Sequence, residues 1–240
     1  LCSCTAVFTP RGAGRIPSTS WSGSATKQWL VDLPGHGARV DEESTLANRP
    51  DAIVSVLRPG DVLVGHSGGG FDATLAADVA TDLVSHIVYL AAALPREGRT
   101  YPEAMAMRDT EEGEFDADVG EMLGYLHFDD DGAMTFADFE GAWKYFYHDC
   151  DEQTAHWAFE RLGPERFGDT TVTPVSVPRR LGVDQLTIDA SHSPFLSRPR
   201  ELAELLVHAT TTKPIGPLIP DYRADANARS SRATSGPLGV

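Results

Sequence analysis

Cysteine is scarce in this chain of 240 residues, with only Cys2, Cys4 and Cys150. That is no disulfide framework, and it favours a reducing compartment. No apolar run approaches the roughly 20 residues of a membrane span. The N-terminal stretch lacks the charged-then-apolar order of a secretory signal, so the cytoplasm is the expected location. Basic residues are also few: 20 Lys and Arg stand against 35 Asp and Glu, a formal net charge of −15. No basic run offsets this, which argues against nucleic acid and membranes as partners. The excess acid is spread through loops and helix faces and reads as a solubility device.

What is present is a core-forming composition. Hydrophobic residues make up 41% of the chain, enough for one large α/β domain or a domain with an insertion. Residues 1–28 are rich in Ser, Thr, Gly and Arg and stay unassigned; within them "TAVFT" is the one strand-like stretch. "WLVDL" (Trp29–Leu33) reads as a buried strand ended by the turn "PGHG". Leu46 to Leu57 has the spacing of an amphipathic helix, closed by Arg58-Pro59-Gly60. "DVLV" predicts a strand, Phe71 to Ala80 an alanine-rich helix, and "HIVYLAAA" (His86–Ala93) a further apolar strand. Strands alternating with helices predict a parallel sheet covered by helices.

From about residue 96 to 171 this alternation gives way to acidic, aromatic, helix-prone sequence. Trp143, Phe146, Tyr147, Trp157 and Phe159 are concentrated there, suiting a core between packed helices or a cap over a pocket. The alternation returns with "DQLTIDA" as a last strand, the loop "SHSPFLS", and a helix from Arg198 to Ala209. Ser197 is the expected N-cap, with Leu202, Leu205 and Leu206 on the apolar face. Residues 213–240, with repeated Pro, Gly, Ser and Arg and no period, read as a disordered tail.

The glycines around one serine carry the chemistry. In "DVLVGHSGGG" (Asp61–Gly70), Gly65 and Gly70 have P-loop spacing, but Phe71 and Asp72 stand where Lys and Ser/Thr are needed. A dinucleotide fingerprint fails because Ser67 takes the place of its second glycine. G-x-S-x-G fits, as Gly65-His66-Ser67-Gly68-Gly69. A nucleophile on a sharp strand-to-helix turn needs glycine two residues to either side, where a side chain would collide. The turn lifts the hydroxyl above the sheet and aims the first backbone N–H groups of the next helix at the same point, where they stabilise an oxyanion.

Ser67 needs a base. Of 8 histidines, His36 lies in a turn, His66 fills the variable place beside the serine, and His86 begins a strand. His127, His148 and His156 lie in the insert, and His208 ends a helix. His192 differs, sitting in a short loop between the last expected strand and the final helix. Two metal patterns fall short. "HFDDDGAMTFAD" has His127 at the first EF-hand ligand position and Asp138 in place of the bidentate Glu. "HDCDEQTAH" matches no zinc spacing. No metal and no cofactor are expected.

With "VDLPGHG" (Val31–Gly37), "VLVGHSGGG" (Val62–Gly70), "IVYLAAALPREG" (Ile87–Gly98) and "IDASHSPFLSRPRELAELL" (Ile188–Leu206) together, residues 29–210 resemble the α/β-hydrolase superfamily. The similar branch is that of small esterases and hydroxynitrile lyases, including methyl-salicylate-type esterases. The resemblance implies a mostly parallel sheet flanked by helices over residues 29–212, with a helical lid at about 96–171. It implies Ser67 as nucleophile, His192 as base, Gly68 N–H as an oxyanion donor, and no cofactor.

Two family features are missing. Residues 1–28 contain no His-Gly motif to supply the second oxyanion N–H; "RGAG" (Arg11–Gly14) is the nearest stretch. The strand, acid-bearing loop and helix ahead of the last strand are also missing, since "VTPVSVP" runs straight into "RRLGVDQL". Arg179-Arg180-Leu181-Gly182 reads as a helix end, yet Pro178 leaves no helix before it, which marks the fold as incomplete. Asp169, Asp184 and Asp189 remain, and none is well placed as the triad acid. Losing that acid costs on the order of 10⁴ in kcat in a serine protease, and losing an oxyanion donor about 10²–10³.

The expected activity is cleavage of a small carboxylic ester through an acyl-enzyme on Ser67. Two alternatives stay open. One is a cyanohydrin-cleaving lyase on the same scaffold, for which Lys144 is the candidate lid lysine. The other is a catalytically impaired relative that binds ligand. The expected partner is a small ester, and a homodimer is compatible with the sequence.

Overall fold

The computed structural model describes residues 4–9, 27–45, 47–94, 117–165 and 186–211. The main sheet has four strands: β1 (Cys4–Thr9), β2 (Lys27–Val31), β3 (Asp61–His66) and β4 (Val84–Leu90), in the spatial order β2-β1-β3-β4. β3 pairs parallel with β4, while β1 runs antiparallel to both β2 and β3. The three strands legible as apolar runs therefore point the same way. The antiparallel one is "TAVFT", which enters between two of them with register Ala6 to Leu30 on one side and Ala6 to Val64 on the other.

β3 is buried along its whole length. Successive side chains of a strand point to opposite faces, and both faces are covered here. Leu63 packs with Leu33, Ile53, Ala73 and Ala76 on one side. Val62 and Val64 meet Val88, Leu90 and Leu206 on the other. Helix α1 (Asn48–Val54) starts where Thr45 and Asn48 bond reciprocally, backbone N–H to side-chain oxygen, at 2.9 and 3.1 Å. Helix α2 (Gly69–Val79) presents Ala73, Ala76 and Ala77 to the sheet. Small side chains there let the helix lie close to the strands, as interior packing density requires.

Residues 117–165 form an insert with a core of its own. It contains α3 (Ala117–Leu123), a hairpin of β5 (Leu126–Phe128) and β6 (Met134–Phe136), and α4 (Phe139–Ala142). A π-helical turn over Trp143–Tyr147 and α5 (Glu152–Phe159) complete it. Phe136, Ala142, Phe146, Tyr147, Ala155 and Ala158 are its buried centre. Asp138 and Asp151 cap α4 and α5, accepting from Gly141 N–H and Thr154 N–H at 2.9 Å each.

Several expectations are corrected. The insert is not wholly helical: the stretch weighed as a calcium loop is the hairpin turn, in which Asp129 accepts from the Asp131 and Ala133 N–H groups. Both bonds fall on Asp129 Oδ1 and close the turn. Trp157 is 51% exposed, with the Arg161 guanidinium over its ring, rather than in the core. The last strand is not formed over its described residues: Leu186 to Ile188 pair with no strand and Leu186 is exposed. An alternating pattern makes a segment able to pair, but a strand forms only where a sheet edge reaches it. Ser197 ends a short helix α6 (Pro194–Ser197) instead of opening the last one, α7 (Pro199–Thr211). Pro199 terminates the first and starts the second, as its fixed φ and missing N–H dictate. Leu202 is buried on α7, as its spacing implied.

The interval around Pro178, the tail, residues 95–116, and Asp169 and Asp184 lie outside the described residues.

The turn after β3 carries the first prediction. A Cβ on Gly65 would lie 2.6 Å from Gly69 O and 2.8 Å from Gly70 Cα, both backbone atoms that cannot swing aside. Gly65→Ala is expected to destabilise the fold by about 1–3 kcal/mol, the usual cost of overpacking. Urea unfolding should show a lower midpoint at unchanged slope.

Candidate active site

Ser67 follows directly on β3 and has φ 53, a left-handed conformation rare for a residue with a side chain. Its backbone is held on both sides. Ser67 N–H reaches Leu90 O at 3.4 Å, and Ser67 O accepts from Gly70 N–H at 3.2 Å and Ala93 N–H at 3.0 Å. Gly70 is needed for the last contact, because a Cβ there would strike Ala93 O and come within 2.9 Å of Ala92 Cβ. Ala91 is also left-handed, with φ 43. Two strained residues thus sit together at the carboxyl ends of β3 and β4, the end of a parallel sheet where ligands bind. Gly68 caps α2, so its N–H lies in the peptide that follows the serine.

The loop carrying His192 is brought to this turn. His66 Nε2 bonds His192 O at 2.7 Å, and the two rings lie 4.7 Å apart. The His192 ring also stacks on Phe146 of the insert, with centroids 4.6 Å apart. Ser191 N–H donates to Asp149 Oδ2 at 2.9 Å, and the Ser191 hydroxyl donates to Phe146 O at 2.8 Å. The imidazole itself makes no hydrogen bond among the described residues, to Ser67 or to any carboxylate, and its Nε2 is sealed from solvent. Burial, and then the charge of His66, lower its pKa to about 3. At neutral pH it is an uncharged acceptor.

Known proteins fit this geometry. An alpha/beta hydrolase family model matches residues 18–205. The chain belongs to the alpha/beta hydrolase family. It is 40% identical over 101 residues to Esterase PIR7B of Oryza sativa subsp. japonica, a match covering 35% of this chain and 38% of that protein. The chain therefore spans well under half the length of that curated relative. An extracellular alpha/beta-hydrolase from a Paenibacillus species superposes with TM-score 0.54 at 17% identity, covering 75% of this chain and 86% of the other. Polyneuridine aldehyde esterase gives 0.53 at 18%, covering 74% and 85%. A pyrethroid hydrolase from Sphingobium faniae gives 0.53 at 18%, covering 75% and 84%. The structural likenesses concern the fold alone.

Three residues of this chain were undervalued by their local sequence. His66, a filler between glycine and serine in the motif, holds the His192 backbone. Asp149 holds the backbone N–H of Ser191, the residue before His192. His36, read as a turn residue, enters a buried network of charge. Its Nε2 bonds Glu165 Oε1 at 3.0 Å, and Arg49 forks onto both Asp72 oxygens at 2.9 and 2.7 Å while its Nη1 reaches Glu165 at 3.4 Å. Arg49, Asp72 and Glu165 are each no more than 2% exposed. Asp72, which ruled out a P-loop, is thus the anchor of α2. Glu165 is tied by its backbone to Met134 of β6, so the network joins insert, "PGHG" turn, α1 and α2.

Two positive and two negative groups balance in that network when His36 is protonated. Burial disfavours its charge, but the hydrogen bond and charge of Glu165 prevail and raise the pKa above the ordinary value. Burial likewise opposes the Glu165 charge, yet the His36 bond and the charges of His36 and Arg49 lower its pKa. Lys144, the candidate lyase lysine, is 42% exposed and paired with Glu121 at 2.6 Å between Tyr125 and Tyr145. Asp189, one of the candidate acids, contributes its backbone carbonyl to Arg198 at 3.2 Å. No helix among the described residues is long and apolar enough to cross a membrane.

Arg49→Met takes from buried Asp72 the cation that forks onto it and leaves Glu165 with His36, and a loss of about 3–5 kcal/mol is expected in urea unfolding. The His36 contribution is complete below the unfolded imidazole value of about 6.5 and is lost as pH rises through the raised native value. The urea midpoint should fall over that window, and His36→Asn should flatten the fall.

Proposed function

We propose that this chain is a serine hydrolase that cleaves a small carboxylic ester through an acyl-enzyme on Ser67. The observation that carries the reading is the left-handed Ser67 between a buried strand and a helix N-terminus. Ser67 Oγ attacks the ester carbonyl while His192 takes its proton, and Gly68 N–H donates to the oxyanion. The tetrahedral adduct collapses, the alcohol leaves with the proton from His192, and water releases the acid by the reverse steps. The aromatic insert, with Phe146 against His192, supports an apolar or aromatic acyl group. The relatives' names as esterases support the same chemistry. A cytoplasmic site of action remains part of this reading.

A second reading, an impaired relative that binds without turnover, is favoured by the imidazole that no carboxylate engages among the described residues. One experiment separates them. A fluorophosphonate probe should label Ser67 and no residue of Ser67→Ala, and p-nitrophenyl acetate hydrolysis should fall to background in that variant. Absence of labelling and turnover in the parent would overturn the esterase reading; ligand binding that survives Ser67→Ala would then support the second. Because the base is active when neutral, the acid limb of kcat/KM should lie below the ordinary imidazole value of about 6.5. A pH–rate profile checks this.

A further inference from the structure

In serine hydrolases the imidazole is oriented by a carboxylate on its ring. Among the described residues no carboxylate reaches the ring, and the contacts that hold it there are those of the loop backbone and of stacking. The backbone is gripped on both sides of the peptide that joins Ser191 to His192. His66 Nε2 holds His192 O from the side of β3 at 2.7 Å. The Asp149 carboxylate holds the Ser191 N–H from the side of the insert at 2.9 Å. The Ser191 hydroxyl adds a second tie to the insert through Phe146 O, a carbonyl in the last turn of the π segment where intrahelical partners run out. Phe146 stacks on the ring, and the tilted His66 ring lies 4.7 Å from it.

We propose that Asp149 is a positioning residue for His192: its carboxylate fixes the loop that presents the imidazole to Ser67, from the insert rather than from the ring. The proposal rests on the esterase reading above. A charged acceptor makes a hydrogen bond roughly twice as strong as a neutral one, and a peptide N–H cannot turn away as a side chain can. Burial works against the Asp149 charge, but bonds from Ser191 keep its carboxyl below the usual range. The titratable groups around the loop are His66 from β3, Asp149 itself, and its neighbour Cys150, whose thiol is pushed up to about 11 by burial and by Asp149 and Asp151. His66 therefore reinforces the low His192 pKa, and loss of the Asp149 tie would let water reach the ring.

The test compares Asp149→Ala and Asp149→Asn with the parent. Asp149→Ala should lower kcat about tenfold or more, as small misplacements of catalytic groups do, with little change in KM. It should also move the acid limb of kcat/KM up toward the ordinary imidazole value. Asp149→Asn keeps an acceptor oxygen and should restore most of kcat and return the limb. A damaged scaffold alone would leave the limb in place. Should Asp149→Ala not fold, Asp149→Ser serves for the same two readouts. An unmoved limb with kcat unchanged, or lost equally in the Asn variant, overturns the proposal. A parent that takes no fluorophosphonate on Ser67 overturns the esterase reading instead, before any variant is made.

Discussion

A backbone reversal that only side-chain-free neighbours permit underlies the arrangement of this protein. Ser67 turns left-handed at the end of β3, and the chain folds back so closely that Gly65 faces the backbone of Gly69 and Gly70. Strain of this kind costs of order 1–3 kcal/mol and persists only where surrounding structure over-determines it. That support comes from the end of β4 and the segment after it, where Leu90 and Ala93 bond the Ser67 backbone. It comes also from α2, fixed by alanine packing and by the Arg49–Asp72 fork.

The insert depends on the same support. Its aromatic core comes almost wholly from its own residues, with Leu196 packed against it, and two polar attachments tie it to the rest. Glu165 joins the buried charges beneath it, and the Asp149–Ser191 pair joins the loop of His192. Breaking a buried charge pair is costly because it strands the remaining partner, so Glu165 gives the insert a fixed seat. The acidic bias of the composition, read as solubility, thus includes residues that organise the interior.

Much of the fold was legible from pattern. Apolar runs at "WLVDL", "DVLV" and "HIVYL" mark strands buried on both faces, and the order of strands and helices gives their common direction. The serine was legible for a stronger reason: glycine spacing records a steric requirement that few other structures impose. Where the reading went astray, the missing information was a partner. "TAVFT" was strand-like, but nothing local says that it lies antiparallel between β2 and β3. "QLTI" alternates like a strand, yet Leu186 to Ile188 meet no sheet edge.

The sequence by itself determined the local geometry: the glycine-bounded serine, the alanine face of α2 and the loop histidine. These depend on steric fit and periodicity over a few residues. Tertiary structure alone decided the long-range contacts, 126 residues apart for His66 with His192 and 116 for Arg49 with Glu165. Whether a histidine or an aspartate is a solvated turn residue or the anchor of a site depends on the burial and partner it acquires. Those exist only once the chain has closed on itself.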